Sequence, residues 1–199
     1  MSTSRNICSW QQVESRQDFA AYLHLMAADC ERACSSQDPQ SPAAQRWIHR
    51  SINNFLWGWV RLLGSRLGAT DLLHEEAPGR PGWQGLAHQL DIVRRTPPGF
   101  NCLLADSGTE PEEVDTAQDL RRYAATLATD FARDQREYQT KISRGNWAGD
   151  GGSWAHGTLY NWLDAWAAWV GADSRLHVQL EPVTWRSVAL QLSAAKIYE

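Results

Sequence analysis

The sequence predicts an all-α protein: a tandem duplication of a three-helix unit, packed as one pseudo-twofold six-helix domain. Three observations predict it. No run alternates apolar and polar residues with β-branched enrichment, so strands are not expected. Apolar residues instead recur at helical spacing in three blocks. Each block then occurs a second time, in the same order.

The first block is SRQDFAAYLHLMAADCER at 15–32, matched by TAQDLRRYAATLATDFAR at 116–133. The second is WIHRSINNFLWGWV at 47–60, matched by WAHGTLYNWLDAWA at 154–167. The third is WQGLAHQL at 83–90, matched by WRSVALQL at 185–192. The three contain 15 identities in 40 aligned positions, where composition alone gives roughly 2 to 4. The offsets are 101, 107 and 102. The extra residues of the second copy fall in a Gly-rich stretch, Arg144 to Gly152, as insertions in a loop should.

Each block reads as a helix. Ser15 and Thr116 stand three residues before Asp18 and Asp119, an N-cap followed by an acidic first turn. Phe19, Leu23, Met26, Cys30 and Ala33 then form one stripe, answered by Leu120, Ala124, Leu127 and Phe131. In the second block Ile52, Phe55, Leu56, Trp59, Leu62 and Leu63 share a face. Their counterparts are Leu159, Trp162, Leu163, Trp166, Trp169 and Val170, with Gly64 and Gly171 as stops. The third block is shorter, with Trp83, Leu86, Ala87 and Leu90 against Trp185, Val188, Ala189 and Leu192. The predicted organisation is copy one at 1–100, an acidic linker at 101–115 and copy two at 116–199. Three short helices hold little core alone, so the copies are expected to pack on each other.

The chain has 199 residues, a net charge of −4 and 43% hydrophobic residues. No global basic field exists to hold nucleic acid. Residues 1–100 carry 10 basic and 9 acidic side chains, residues 101–199 carry 9 and 14. Five of the acids lie between Asp106 and Asp115, so the imbalance belongs to the linker. No apolar run approaches the ~18 residues of a membrane span. The N-terminal stretch has no apolar run behind it, so a secretory signal is not expected. Cys8, Cys30, Cys34 and Cys102 form no Cys-x-x-Cys pair. Cys30 and Cys34, one turn apart, read as small buried hydrophobes rather than zinc ligands. A cytoplasmic location follows from this cysteine usage. Seventeen Arg against two Lys points to a high-GC bacterial genome.

The 11 Trp exceed the 4 Phe and 5 Tyr together. Six occupy three matched positions, Trp47/Trp154, Trp59/Trp166 and Trp83/Trp185, and read as scaffold. Trp57 and Trp147 differ. Trp57 lies off the apolar stripe beside Arg61, and its counterpart is Asp164, so partial exposure and a contact role are expected. Trp147 sits in the Gly-rich insert. Among polar residues, Tyr22 and Asp29 recur as Tyr123 and Asp130, and His49 and Asn54 as His156 and Asn161. One reading is a polar brace in which Asp29 accepts from an indole N–H or from open helix amides. The other is a site, with Tyr123, Asp130 and His156 as acid–base groups.

The W-x-H…N-x-L-x-x-W block, preceded by S-R-x-D-F and closed by the Trp185–Glu199 motif W-R-x-x-A-x-x-L-x-A-A-x-x-Y-E, resembles a bacterial family of small Trp-rich helical proteins with no assigned function, present here as two divergent copies. Copy one departs from it at the end, where Asp91-Ile-Val-Arg-Arg replaces Ala-Ala-x-x-Tyr. The resemblance implies a recurring module and no catalytic residue.

No P-loop, nucleophile elbow, zincin or dinucleotide motif is present. The function expected is therefore a non-enzymatic binding protein gripping a protein partner, of the immunity or accessory kind, without cofactor or metal. Its expected binding residues are Tyr22, Asp29, His49, Trp57, Arg61, Trp147 and Asn161. The alternative is a small-molecule binder or cofactor-independent enzyme. Its Trp-walled cavity between the copies would take an aromatic or cationic ligand.

Overall fold

Ser15 and Thr116 start the two long helices in the same way. Ser15 Oγ accepts from the Asp18 N–H at 3.2 Å, and Thr116 Oγ1 from the Asp119 N–H at 3.1 Å. The Asp119 carboxylate reaches back to the Thr116 N–H at 3.0 Å, completing a capping box. The hydrogen bond from Thr116 holds the Asp119 carboxyl below the ordinary range. These two expectations from sequence hold to the residue.

The computed structural model describes residues 8–38, 40–63, 82–95, 109–145, 153–172 and 183–197. Its regular elements are all helical. A 3-10 turn at Trp10–Gln12 precedes α1 (Arg16–Ser35), α2 (Pro42–Arg46), α3 (Ile52–Leu63) and α4 (Trp83–Val93). A second 3-10 turn at Pro111–Glu113 precedes α5 (Ala117–Ser143), α6 (Leu159–Gly171) and α7 (Trp185–Ile197). The seventh α-helix beyond the predicted six is α2. A Ser-Pro start encodes it: Ser41 Oγ accepts from the Ala44 N–H at 3.2 Å, and Pro42 occupies the first turn.

The second block is helical only in part. Trp47 and Trp154 lie ahead of their helices, which begin at Ile52 and Leu159. The residue after each Trp is used elsewhere. Ile48 donates its N–H to the Arg94 carbonyl at 3.0 Å, and Ala155 donates to the Lys196 carbonyl at 2.9 Å. Those carbonyls sit at the ends of α4 and α7, where helical partners run out. The segment after each Trp therefore stays out of the helix that follows and caps a distant one.

The long helices pack across the two halves of the chain: α1 lies chiefly on α6, and α3 on α5. Gly171 permits the first approach, since a Cβ there would meet Ala20 Cβ at 3.3 Å. The second is fastened by polar bonds. Asn53 Nδ2 donates to the Ala128 carbonyl at 2.8 Å, and Arg121 Nε to the Val60 carbonyl at 3.1 Å.

The core centres on Trp59, Trp162 and Trp166, all fully buried. Trp59 and Trp166 stack at 6.0 Å, and Trp162 leans on Trp166 at 5.5 Å. Phe55 meets Trp162 edge-on at 6.3 Å, and Phe19 meets Trp166 edge-on at 5.7 Å. Each stacked indole has one buried acceptor. Trp59 Nε1 donates to Gln89 Oε1 at 3.0 Å, and Trp166 Nε1 to Gln191 Oε1 at 3.0 Å. Fully burying an indole is worth about 4–6 kcal/mol gross.

Trp57 overturns its expectation of partial exposure: it is 4% exposed. Its face of α3, four residues on from Asn53, is the face that α5 covers. A pattern read within one half shows one buried stripe, and the second partner comes from the other half. Trp147, Cys102, Gly64 and most of the predicted linker lie outside the described residues. No helix among the described residues is long and apolar enough to cross a membrane.

Candidate functional site

The site grows from one face of α1. Tyr22, Met26 and Asp29 are buried there at helical spacing. A carboxylate at the low exposure of Asp29 requires donors. Four side chains supply them. Trp47 Nε1 donates at 3.0 Å, Arg46 through Nε at 3.1 Å and Nη2 at 2.6 Å, Arg32 Nη2 at 3.2 Å, and Arg94 Nη1 at 3.3 Å. Burial alone would raise the Asp29 carboxyl. The hydrogen bonds from Arg46 and Trp47 outweigh it and hold the group down at about 2. The Arg94 guanidinium also lies over the Trp47 ring, 5.9 Å from its centroid.

A second carboxylate stands beside the first. Asp91, from the last turns of α4, accepts from Arg94 Nη2 at 2.5 Å, from Tyr22 Oη at 3.3 Å and from Arg95 Nη2. Arg94 thus bridges Asp29 and Asp91. Burial, and then the Asp91 charge, push the Tyr22 phenol up, so it stays a neutral donor.

Above these groups opens a cleft of about 540 Å³. Its floor is Tyr22, Met26, Asp29, Asp91 and Arg94. Arg32, Arg46 and Arg95 stand at its rim, each about half exposed. Trp10 and Leu25 add apolar wall, and Cys8 and Ser9 complete the N-terminal side. Trp10 is itself fixed, stacked on His88 at 3.8 Å and 15°. Gln84 Nε2 holds the same turn through the Gln11 carbonyl at 2.9 Å.

The matching positions of the second half build the same brace without the same rim. Asp130 accepts from Trp154 Nε1 at 2.9 Å, from Lys196 Nζ at 2.7 Å and from Arg133. Lys196 lies 5.3 Å from the centroid of the Trp154 ring, as Arg94 lies over Trp47. Burial opposes these bonds, but those from Lys196 and Trp154 prevail and lower the Asp130 carboxyl. Tyr123 pairs with Ser193, which stands where Asp91 stands, and burial raises its phenol to about 12. Ser153 and Ile197 stand where Arg46 and Arg95 stand. Asp134, matching Ala33, accepts from the Ser153 N–H at 2.5 Å.

Of the residues expected from sequence, the cleft brings together Tyr22 and Asp29. Asp29 accepts from an indole, as the brace reading anticipates. Tyr123, Asp130 and His156 do not line this cleft. His49 is fully buried and meets Phe55 edge-on at 6.1 Å. Arg61 and Asn161 are exposed and stand apart from the cleft. Cys30 is buried, which raises its thiol, while Cys34 packs partly buried against the core. Sequence reading missed Trp10, Arg32, Arg46, Asp91, Arg94 and Arg95. For Asp91, Arg94 and Arg95 the signal was the stretch Asp91-Ile-Val-Arg-Arg, which departs from the Ala-Ala-x-x-Tyr ending; Trp10, Arg32 and Arg46 are not part of it.

Comparison with protein-family models, with curated proteins and with solved structures finds no match for the chain.

Proposed function

We propose that the chain is a tandem duplicate of one helical unit, a bacterial cytoplasmic protein without catalytic function. In this reading it grips a protein partner through the cleft of its first half. The observation that carries the proposal is the arginine rim. Three half-exposed guanidiniums are each tethered by one edge to a buried carboxylate, so little rotamer freedom remains to be lost on binding. Arginine and tryptophan are common interface anchors, and Trp10 stands on the wall. Paired bonds at matched positions support the duplication: Asp29–Trp47 with Asp130–Trp154, and Trp59–Gln89 with Trp166–Gln191. On this reading the recurring Asp, Tyr and Trp are scaffold, and binding belongs to positions where the halves differ.

The test is site-specific photo-crosslinking in living bacteria. A benzophenone side chain replaces Leu25 on the cleft wall, or Tyr138 on the exposed end of α5. The expected result is a discrete protein adduct from Leu25 alone, lost when Arg46→Ser and Arg95→Ile are added. Equal adducts from both positions, or none from Leu25, overturn the proposal.

A further inference from the structure

The charge of the cleft opposes that of the chain. Its lining carries four arginines and two aspartates, an excess of two positive charges, on a protein of net charge −4. Both carboxylates are buried and saturated by donors, whereas three of the guanidiniums reach solvent. An arginine holding a carboxylate by one edge keeps further N–H donors for a second anion. The surface an incoming group meets is therefore cationic.

The shape says more. Tyr22, Leu25, Met26, Asp29 and Arg32 follow α1 for ten residues, about 15 Å of helix. Guanidiniums stand along it, Arg32 and Arg46 at Asp29 and Arg95 at Asp91 beside Tyr22, and Leu25, Met26 and Trp10 add apolar wall to the same lining. Leu25 is 36% exposed, one of four exposed large hydrophobic side chains among the described residues. A lone phosphate would engage guanidiniums and leave the apolar wall uncovered. A strand of four or five residues spans about 15 Å and engages both.

We propose that the cleft takes an acidic peptide segment of a partner protein, with at least two carboxylates for Arg32, Arg46 and Arg95 and one apolar side chain for the Leu25–Trp10 wall. This inference rests on the binding reading above and names the chemistry of its occupant.

The test uses the full chain and polymers that present every local register. A fluorescein-labelled random copolymer of glutamate and tyrosine is titrated by anisotropy. Polyglutamate, polyphosphate and single-stranded DNA serve as competitors. The expected result is saturable, salt-sensitive binding of the copolymer. Arg46→Ser with Arg95→Ile, the residues of the second half, should weaken it at least about tenfold while the chain stays folded by circular dichroism. Leu25→Ser should narrow the preference for copolymer over polyglutamate. If polyphosphate or DNA binds at the rim and the copolymer does not, the acidic-peptide inference is overturned while the cleft stands as a binding site. If the Arg46→Ser, Arg95→Ile chain binds the copolymer as well as the natural chain, the inference fails at this site. If no polyanion binds but the Leu25 crosslink still forms, the partner is not acidic. Loss of the crosslink as well removes the underlying reading.

Discussion

Asp29 and Asp130 occupy matched positions and meet different fates. Each accepts from a Trp indole, from an arginine one turn on and from a cation at the end of the closing helix. In the first half that frame is extended. Asp91 replaces Ser193, and Arg46 and Arg95 replace Ser153 and Ile197. One added carboxylate and two added guanidiniums convert a closed brace into an arginine-rimmed cleft. A buried carboxylate needs donors wherever it sits, but the number of donors left facing solvent depends on the neighbours. Shared residues build the scaffold, and the differences between halves build the surface.

Several experiments would break or sharpen that comparison. The largest effect belongs to the centre, where the halves should behave alike. Trp59→Ala and Trp166→Ala should each cost about 3–5 kcal/mol in urea denaturation. Each also leaves a buried glutamine carbonyl without its donor. A small loss at only one of them would show that the two halves do not share a core. Next is the brace. Asp29→Ala leaves the buried Trp47 indole N–H without its acceptor and Arg94 held by Asp91 alone, and should cost about 3 kcal/mol. Asp130→Ala strands the better-exposed Lys196 and should cost about half as much. Equal losses would remove the asymmetry.

The pH dependence should follow the same carboxylates. The Asp29 group falls from 3.8 unfolded to about 2 folded. Its stabilisation is therefore present above 3.8 and lost as pH falls through about 2, roughly 2 kcal/mol in all. Asp130 adds a loss of the same sign. Urea midpoints measured between pH 5 and pH 2 should drop, and Asp29→Asn should flatten the drop. A smaller effect is expected at the α1–α6 contact. Gly171→Val should cost about 1–2 kcal/mol, because Ala20 already lies within 3.3 Å of a Cβ there. Smallest for stability is the rim. Arg46→Ser and Arg95→Ile should each stay within about 1 kcal/mol, since both guanidiniums are half exposed. That near-neutrality makes them clean probes of binding.

The helices were legible because their signals are local. The caps at Ser15 and Thr116, and the stripes ending at Ala33, Leu63 and Val170, depend on neighbours within a turn or two. Trp47 was misread as helical because its segment answers to Arg94, which is 47 residues away. Trp57 was misread as exposed because the helix covering it comes from the other half. Tyr22 and Asp29 were found by recurrence. Recurrence could not find Arg46, Asp91 or Arg95, which have no like residue in the second half.

By itself the sequence determined that the chain is helical and the main apolar stripe of each long helix, and it offered an indole donor for Asp29 as one of two readings. Periodicity and capping are properties of short segments, so they survive in the linear order. Only the tertiary structure decided that α1 lies on α6 and α3 on α5, and that α2, α4 and the N-terminal turn bring Arg46, Arg94, Arg95 and Trp10 to one face of α1. Those side chains are tens of residues apart. Long-range pairing is set by how whole apolar faces fit together, and no local pattern records that fit.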